Sequence, residues 1–224
     1  MNKVFRKLLC LLNLLVLSPS LLAQTPVWQP ADWPVLTRYD RQHVAKIALP
    51  LGGIGTGTVS LGGRGQLQDW EIMNQAGKGY STVTPGNTAP FFALFTRDVA
   101  GNTYTKALLG PLEAHEYQHM EGRPVDHHGL PRFAHATFDA AYPFGQVNLS
   151  DSTMPVRVRI KGFNPLIPGD IDASSIPMAV LSYEVTNTTG GPLAVSVSGN
   201  IRNFIGRDGS KTTADWKGDM VPQG

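Results

Sequence analysis

His115-Glu116-Tyr117-Gln118-His119 is the stretch with the most explicit chemistry in this chain. In the H-E-x-x-H arrangement, two histidines one helical turn apart hold a zinc ion while the glutamate between them activates water. That chemistry also needs a helix presenting both imidazoles on one face, a third protein ligand and a packed scaffold behind the site. Pro111 can open a helix, but Gly122 and Pro124 close it soon afterwards, and Glu113, Gln118 and Glu121 leave little apolar surface to bury. Asp126, His127 and His128 follow across a Gly/Pro-containing loop that fixes no ligand geometry. A zinc metalloprotease is therefore one function class to carry, on a motif with a poor context.

Two other stretches invite chemical readings. Leu51-Gly52-Gly53-Ile54-Gly55-Thr56-Gly57 has the glycine density of a phosphate-cradling loop. A nucleotide loop, however, needs a strand before it, a helix after it and, in the P-loop, a Lys-Ser/Thr pair, whereas a strand pair follows here. The glycines are better read as permitting a tight bend and close backbone packing. Asp170-Ile171-Asp172-Ala173-Ser174 opens like a calcium loop, but Ser175 and Leu181 stand where that loop requires Gly and a bidentate Glu. It reads as a polar loop capping a strand. No metal or cofactor is expected.

The N-terminus has the layout of a secretory signal peptide, residues 1–23. Lys3, Arg6 and Lys7 precede an apolar run from Leu8 to Leu17 too short to span a bilayer, and Ala23 offers a small residue before Gln24. The expected destination is secreted or periplasmic, with no transmembrane segment. The one cysteine, Cys10, lies inside this leader, so the mature chain carries no thiol chemistry. Removing the leader leaves 16 basic residues against 17 acidic ones, a balance that gives no reason to expect a nucleic-acid partner.

The elements that would position any site read as strands. With 24 Gly and 17 Pro, turns must be frequent and long helices few. Thr58–Leu61 and Gln66–Ile72 flank Gly62-Gly63-Arg64-Gly65 as a hairpin, and Phe91–Arg97 with Thr103–Leu108 form a second. Val156-Arg157-Val158-Arg159-Ile160-Lys161 alternates strictly, predicting a strand with one face on a core and a basic face in water. Ala179, Leu181, Tyr183 and Val185 make another apolar face, and Leu193, Val195, Val197 and Ile201 a third, joined through a turn at Asn187–Pro192. The fold class is all-β, a large antiparallel β-sandwich over residues 24–224. The last residues, "GRDGSKTTADWKGDMVPQG", are polar and aperiodic, so the sandwich is expected to be incomplete at its C-terminus.

Two long segments, "LPLGGIGTGTVSLGGRGQLQDWEIMN" (49–74) and "FNPLIPGDIDASSIPMAVLSYEVTN" (163–187), resemble the N-terminal domain of glycoside hydrolase family 116, the bile-acid β-glucosidase or non-lysosomal glucosylceramidase type. "HHGLPRF" (127–133) and "AAYPFGQVNLSD" (140–151) are similar to bacterial members. The resemblance implies a large β-sandwich whose partner is a C-terminal (α/α)6 catalytic domain of the same parent protein, acting on a β-glycoside with retention. The family's catalytic Glu and Asp belong to that helical domain, and no position here matches either motif, so no catalytic or metal residue is assigned and the substrate-binding residues are left open. Asp69 departs from the basic residue of the mammalian-type sequences. In this frame His115–His119 falls in a loop and its zinc reading is an accident.

An accessory domain of a β-glycosidase is thus the leading function, with a stand-alone carbohydrate-binding module as the alternative from another class. Trp28 or Trp70 could stack on a sugar ring, or each could serve as a core or inter-domain anchor.

Overall fold

The computed structural model of the chain describes residues 37–72, 75–78, 89–114, 126–201 and 203–204. Among the described residues eleven strands run in chain order: β1 (Thr37–Tyr39), β2 (Ala48–Leu51), β3 (Thr58–Gly62), β4 (Leu67–Glu71), β5 (Phe91–Asp98), β6 (Thr103–Ala107), β7 (His135–Ala141), β8 (Phe144–Ser150), β9 (Val156–Phe163), β10 (Val180–Asn187) and β11 (Leu193–Asn200). One turn of α-helix, α1 (Ile171–Ser174), lies between β9 and β10. All pairings are antiparallel, in three sheets ordered β1-β7-β8-β9-β10, β11-β5-β6 and β2-β3-β4. The expected all-β sandwich is what the chain forms. The calcium-like stretch is not the simple polar loop expected but α1 itself, because Asp170 provides an N-cap: its carboxylate accepts from the Ala173 amide at 2.9 Å.

Period-2 alternation explains the layering. Val147 and Leu149 on β8, with Val156, Val158 and Ile160 on β9, point into a core shared with Leu51, Leu61, Leu94, Leu108 and Phe138. The three-stranded sheet joins this core through Phe92 on β5, whose ring packs 5.2 Å from that of Tyr183 on β10. Burial pushes the Tyr183 phenol up from its ordinary pKa. Both expected hairpins form, β3–β4 with an irregularity between Thr58 and Ser60, β5–β6 in regular register.

Two strand faces differ from the sequence expectation. Arg159 is buried although it sits on the basic side of β9. Its neighbours in the sheet explain how a charge can be held there. Arg159 Nε donates to Asn148 Oδ1 at 3.2 Å, Asn148 Nδ2 donates to Asp139 at 2.9 Å, and Asp139 takes the Arg38 guanidinium at 2.6 and 3.0 Å. On the other flank, Glu184 lies 3.5 Å from Arg159 and 3.0 Å from Lys161. A ribbon of alternating charge and amide thus crosses all five strands, and lateral pairing replaces water. The second difference is β11: by register Val195 and Val197 share the face of Thr96 and Leu94, yet each is 40% exposed. β11 ends its sheet, and among the described residues no strand pairs along its outer edge.

The turn after β10 also has a role that local patterning did not reveal. It carries the chain from the five-stranded sheet to the three-stranded one, since β10 pairs with β9 and β11 with β5. Asn187 organises it, accepting from the Thr189 amide at 2.8 Å and donating to the Gly191 carbonyl at 2.7 Å.

Candidate functional site

The two segments that carry the family resemblance meet at one end of the sandwich through residues more than a hundred positions apart. β2 delivers Gly52 and Gly53 to that end, and β9 delivers Asn164. Asn164 Nδ2 donates to the Gly52 carbonyl at 2.8 Å, and the Ile54 amide donates to the Ser174 carbonyl at 2.9 Å. The glycines are what make this approach possible. A Cβ on Gly52, at φ +143°, would stand 2.3 Å from the Gly57 carbonyl oxygen, and one on Gly53 would stand 2.5 Å from the carbonyl oxygens of both Ser175 and Ile176. The expectation of close backbone packing is therefore realised, with the partner backbone supplied by the 164–178 connection. No helix follows the glycines.

That connection has its own internal scaffold. Ser174, buried, accepts from the Ile167 amide and donates to the Ile167 carbonyl through its hydroxyl, both at 3.0 Å. Asp170 caps α1 from the other side. Replacing Asp170 by Ala leaves the Ala173 amide without its acceptor, and we expect a loss of about 1 kcal/mol in a urea unfolding experiment. An unchanged midpoint would mean that the cap contributes nothing to this loop.

His115–His119 lie outside the described residues, as do Glu121 and Trp28. Among the described residues no group of three His, Cys, Asp or Glu side chains is arranged to hold a metal ion. His127 instead uses Nε2 against the Ala89 carbonyl at 2.6 Å and packs its ring 4.7 Å from Phe91. Trp70 is buried, edge-on to Phe204 with centroids 6.2 Å apart, which is the geometry of a packing anchor and not of an open sugar platform.

The described glutamates are each matched with cations: Glu71 with Lys78 at 3.1 Å, Glu113 with Arg41 at 2.9 Å, and Glu184 with Arg159 and Lys161. Several carboxyls are held below the usual range. For Glu71 the cause is the Lys78 ammonium and then the Gly77 amide; for Asp40 it is chiefly His43, and for Asp98 chiefly the Asn102 side-chain amide. Burial pushes Asp151 up, but the Lys106 ammonium and the Thr153 hydroxyl and amide outweigh it and hold that carboxyl at about 2. A glycosidic acid needs the reverse, a carboxyl raised so that it keeps its proton near neutral pH. Glu71, Glu113, Glu184, Asp40, Asp98, Asp139, Asp151 and Asp170 therefore serve as structural acceptors. Sequence reasoning missed the ribbon from Arg38 to Glu184, whose members lie on different strands and are aligned only by register, and the Lys106–Asp151 pair, which ties β6 to the residue after β8 across two sheets.

With these features in place the class is clear: an all-β domain with a fixed glycine-loop junction and a set of carboxylates committed to structure. The chain matches the family described as beta-glucosidase 2, glycosyl-hydrolase family 116 N-term, over residues 48–222, and it belongs to that family. The matched span includes both resembling segments, all of the strands from β2 to β11 and the junction between the loops. No helix among the described residues is long and apolar enough to cross a membrane.

Proposed function

We infer that this chain is the N-terminal accessory sandwich of a secreted or periplasmic retaining β-glycosidase of the β-glucosidase or glucosylceramidase type, and that its work is to support a helical catalytic domain of the same parent polypeptide. The observation that carries the reading is the family match over residues 48–222, a domain defined by its position N-terminal to the rest of a glycosyl hydrolase. The chemistry of the carboxylates points the same way. Retaining hydrolysis takes a nucleophilic carboxylate and a protonated acid about 5–5.5 Å apart, whereas Glu71, Glu113 and Glu184 are each tied to a cation. Export rests on the basic, apolar and small-residue succession of residues 1–23.

The test is a pair of assays with an aryl β-glucoside. Residues 24–224 alone should show no turnover above the uncatalysed rate, while the parent polypeptide with its helical domain should hydrolyse the substrate and release the β-anomer first, as read by proton NMR. Turnover by residues 24–224 that disappears on changing one carboxylate in this segment would place the active site here and sink the proposal. Saturable sugar binding by the isolated chain, with an inactive parent, would replace it by a carbohydrate-binding module.

A further inference from the structure

β11 is an edge strand that lacks the features keeping the other edges from pairing. A free strand edge presents a row of unpaired N–H and C=O groups, and proteins guard such rows with short strands, charged side chains, proline or local irregularity. Every other sheet edge among the described residues has a guard of this kind. β1 is three residues long and carries Arg38, β2 contains Pro50, and β4 carries Glu71 and holds Asp69 in the left-handed region at φ +50°. β6 carries Lys106 and β10 carries Glu184. β11, with the sequence Leu-Ala-Val-Ser-Val-Ser-Gly-Asn, runs for eight residues without a charge or a proline. Its register with β5 is unbroken from Leu193 to Asn200, so its outer edge is regular along its whole length. All of its residues after Leu193 are exposed.

Charge and symmetry select the occupant. The residues that directly follow β11 do not turn back along it as a hairpin, since Phe204, four positions after Asn200, packs on Trp70 of β4 in another sheet. A charged edge calls for a partner strand of opposite charge, whereas an uncharged strand fits its own image. About a two-fold axis normal to the sheet at Ser196, that residue lies opposite Ser196 of the partner subunit, and Val195 lies opposite the partner's Val197. The valines share the face of Leu94 and Thr96, and each is 40% exposed in the single chain. Pairing across the axis continues their apolar layer from one copy into the next, with β-branched residues side by side. We propose that β11 is a homodimer interface, along which two copies of this chain join antiparallel into one six-stranded sheet ordered β6-β5-β11-β11-β5-β6. Closure about the axis consumes both unguarded edges, so assembly stops at two copies. This interface is independent of the glycosidase reading.

The experiment is sedimentation of the chain over a wide concentration range as wild type, as Ser196→Asp and as Ser196→Lys, together with hydrogen exchange of the β11 amides. Ser196 is exposed, so either charge is solvated in the single chain, whereas in the dimer like charges meet directly across the axis. Wild type should pass from monomer to dimer as concentration rises, with exchange of the outward β11 amides slowing in step. Each variant alone should need a concentration higher by about tenfold or more to dimerise. An equimolar mixture of the two variants should regain the wild-type dimer, because opposite charges then face each other at the axis, and that rescue also shows that both variants are folded. A wild-type chain that stays monomeric, or that grows past the dimer, overturns the interface. Variants that dimerise like wild type, or a mixture no better than either variant alone, do the same. Slow exchange of every β11 amide in a dilute monomer assigns the edge to a strand of the same polypeptide and likewise overturns the proposal.

Discussion

Lys106→Met should lower the unfolding free energy at pH 7 by about 3–5 kcal/mol, the cost typical of removing one partner from a buried ion pair. Lys106 on β6 reaches across the core edge to Asp151, just past β8, and also donates to the Arg132 carbonyl at 3.2 Å. Asp151 is almost fully buried and collects the Ala134 amide at 3.0 Å and the Thr153 amide and hydroxyl at 2.8 and 2.7 Å. Removing the ammonium leaves a carboxylate with hydrogen bonds but no countercharge in a low-dielectric setting, which is where the loss arises. The double variant Lys106→Met, Asp151→Leu should recover part of it, because no buried charge then remains.

The pH dependence has a definite sign. Asp151 titrates at about 2 in the folded chain, below its ordinary value of 3.8. Because the folded value is depressed, the stabilisation is fully present above the unfolded value and is lost as pH falls from about 4 towards 2, an amount on the order of 2 kcal/mol. In Lys106→Met the Asp151 carboxyl loses the ammonium that depresses it, so the deficit relative to wild type should shrink over the same window. Urea unfolding at pH 7, 4 and 2.5 measures both effects. A Lys106→Met deficit below about 1 kcal/mol at pH 7, or one that does not shrink in acid, would show that the pair behaves as an exposed surface contact.

Gly53→Ala should cost about 3 kcal/mol, at the upper end of what a single overpacked methyl group causes. The added Cβ would stand 2.5 Å from two backbone carbonyl oxygens and 2.6 Å from the Ser175 carbonyl carbon. No flexible side chain is there to give way, so the glycine loop and the 164–178 connection must separate. Separation breaks the Ile54–Ser174 hydrogen bond and strains the one from Asn164 to Gly52. Gly55→Ala is the control: its Cβ meets nothing within 4 Å, leaving only the backbone cost of φ +73°, about 1 kcal/mol. Denaturant unfolding gives the two values, and limited proteolysis of residues 164–178 reports whether the loops part. If Gly53→Ala proves no worse than Gly55→Ala, the two segments are not packed as described.

The sequence by itself determined the elements whose causes are local. β3–β4, β5–β6 and β9 could be read because alternation of apolar and polar residues and the glycine-rich turns act within about ten residues. The family could also be read, since residues 49–74 and 163–187 keep long ordered patterns, and the fold class followed from both. α1 was not legible: one helical turn is too short to show a period, and its stability comes from the Asp170 cap. Nor was the burial of Arg159, because alternation assigns a residue to a face and not to water. Whether that face is wet depends on partners such as Asn148 and Glu184, supplied by neighbouring strands.

Tertiary structure decided the remainder. The turn at 187–192 could have joined two strands of one sheet, and only the competing pairings with β9 and β5 place β10 and β11 in different ones. The glycines at 52 and 53 announced a close approach without naming what approaches. Their partner at 174–176 is fixed by the β9–β10 connection, which returns to the same end of the sandwich as the β2–β3 loop. The physical reason is common to these cases: hydrogen-bond periodicity is a property of neighbours in sequence, whereas burial, charge pairing and surface composition are set by which strands lie side by side.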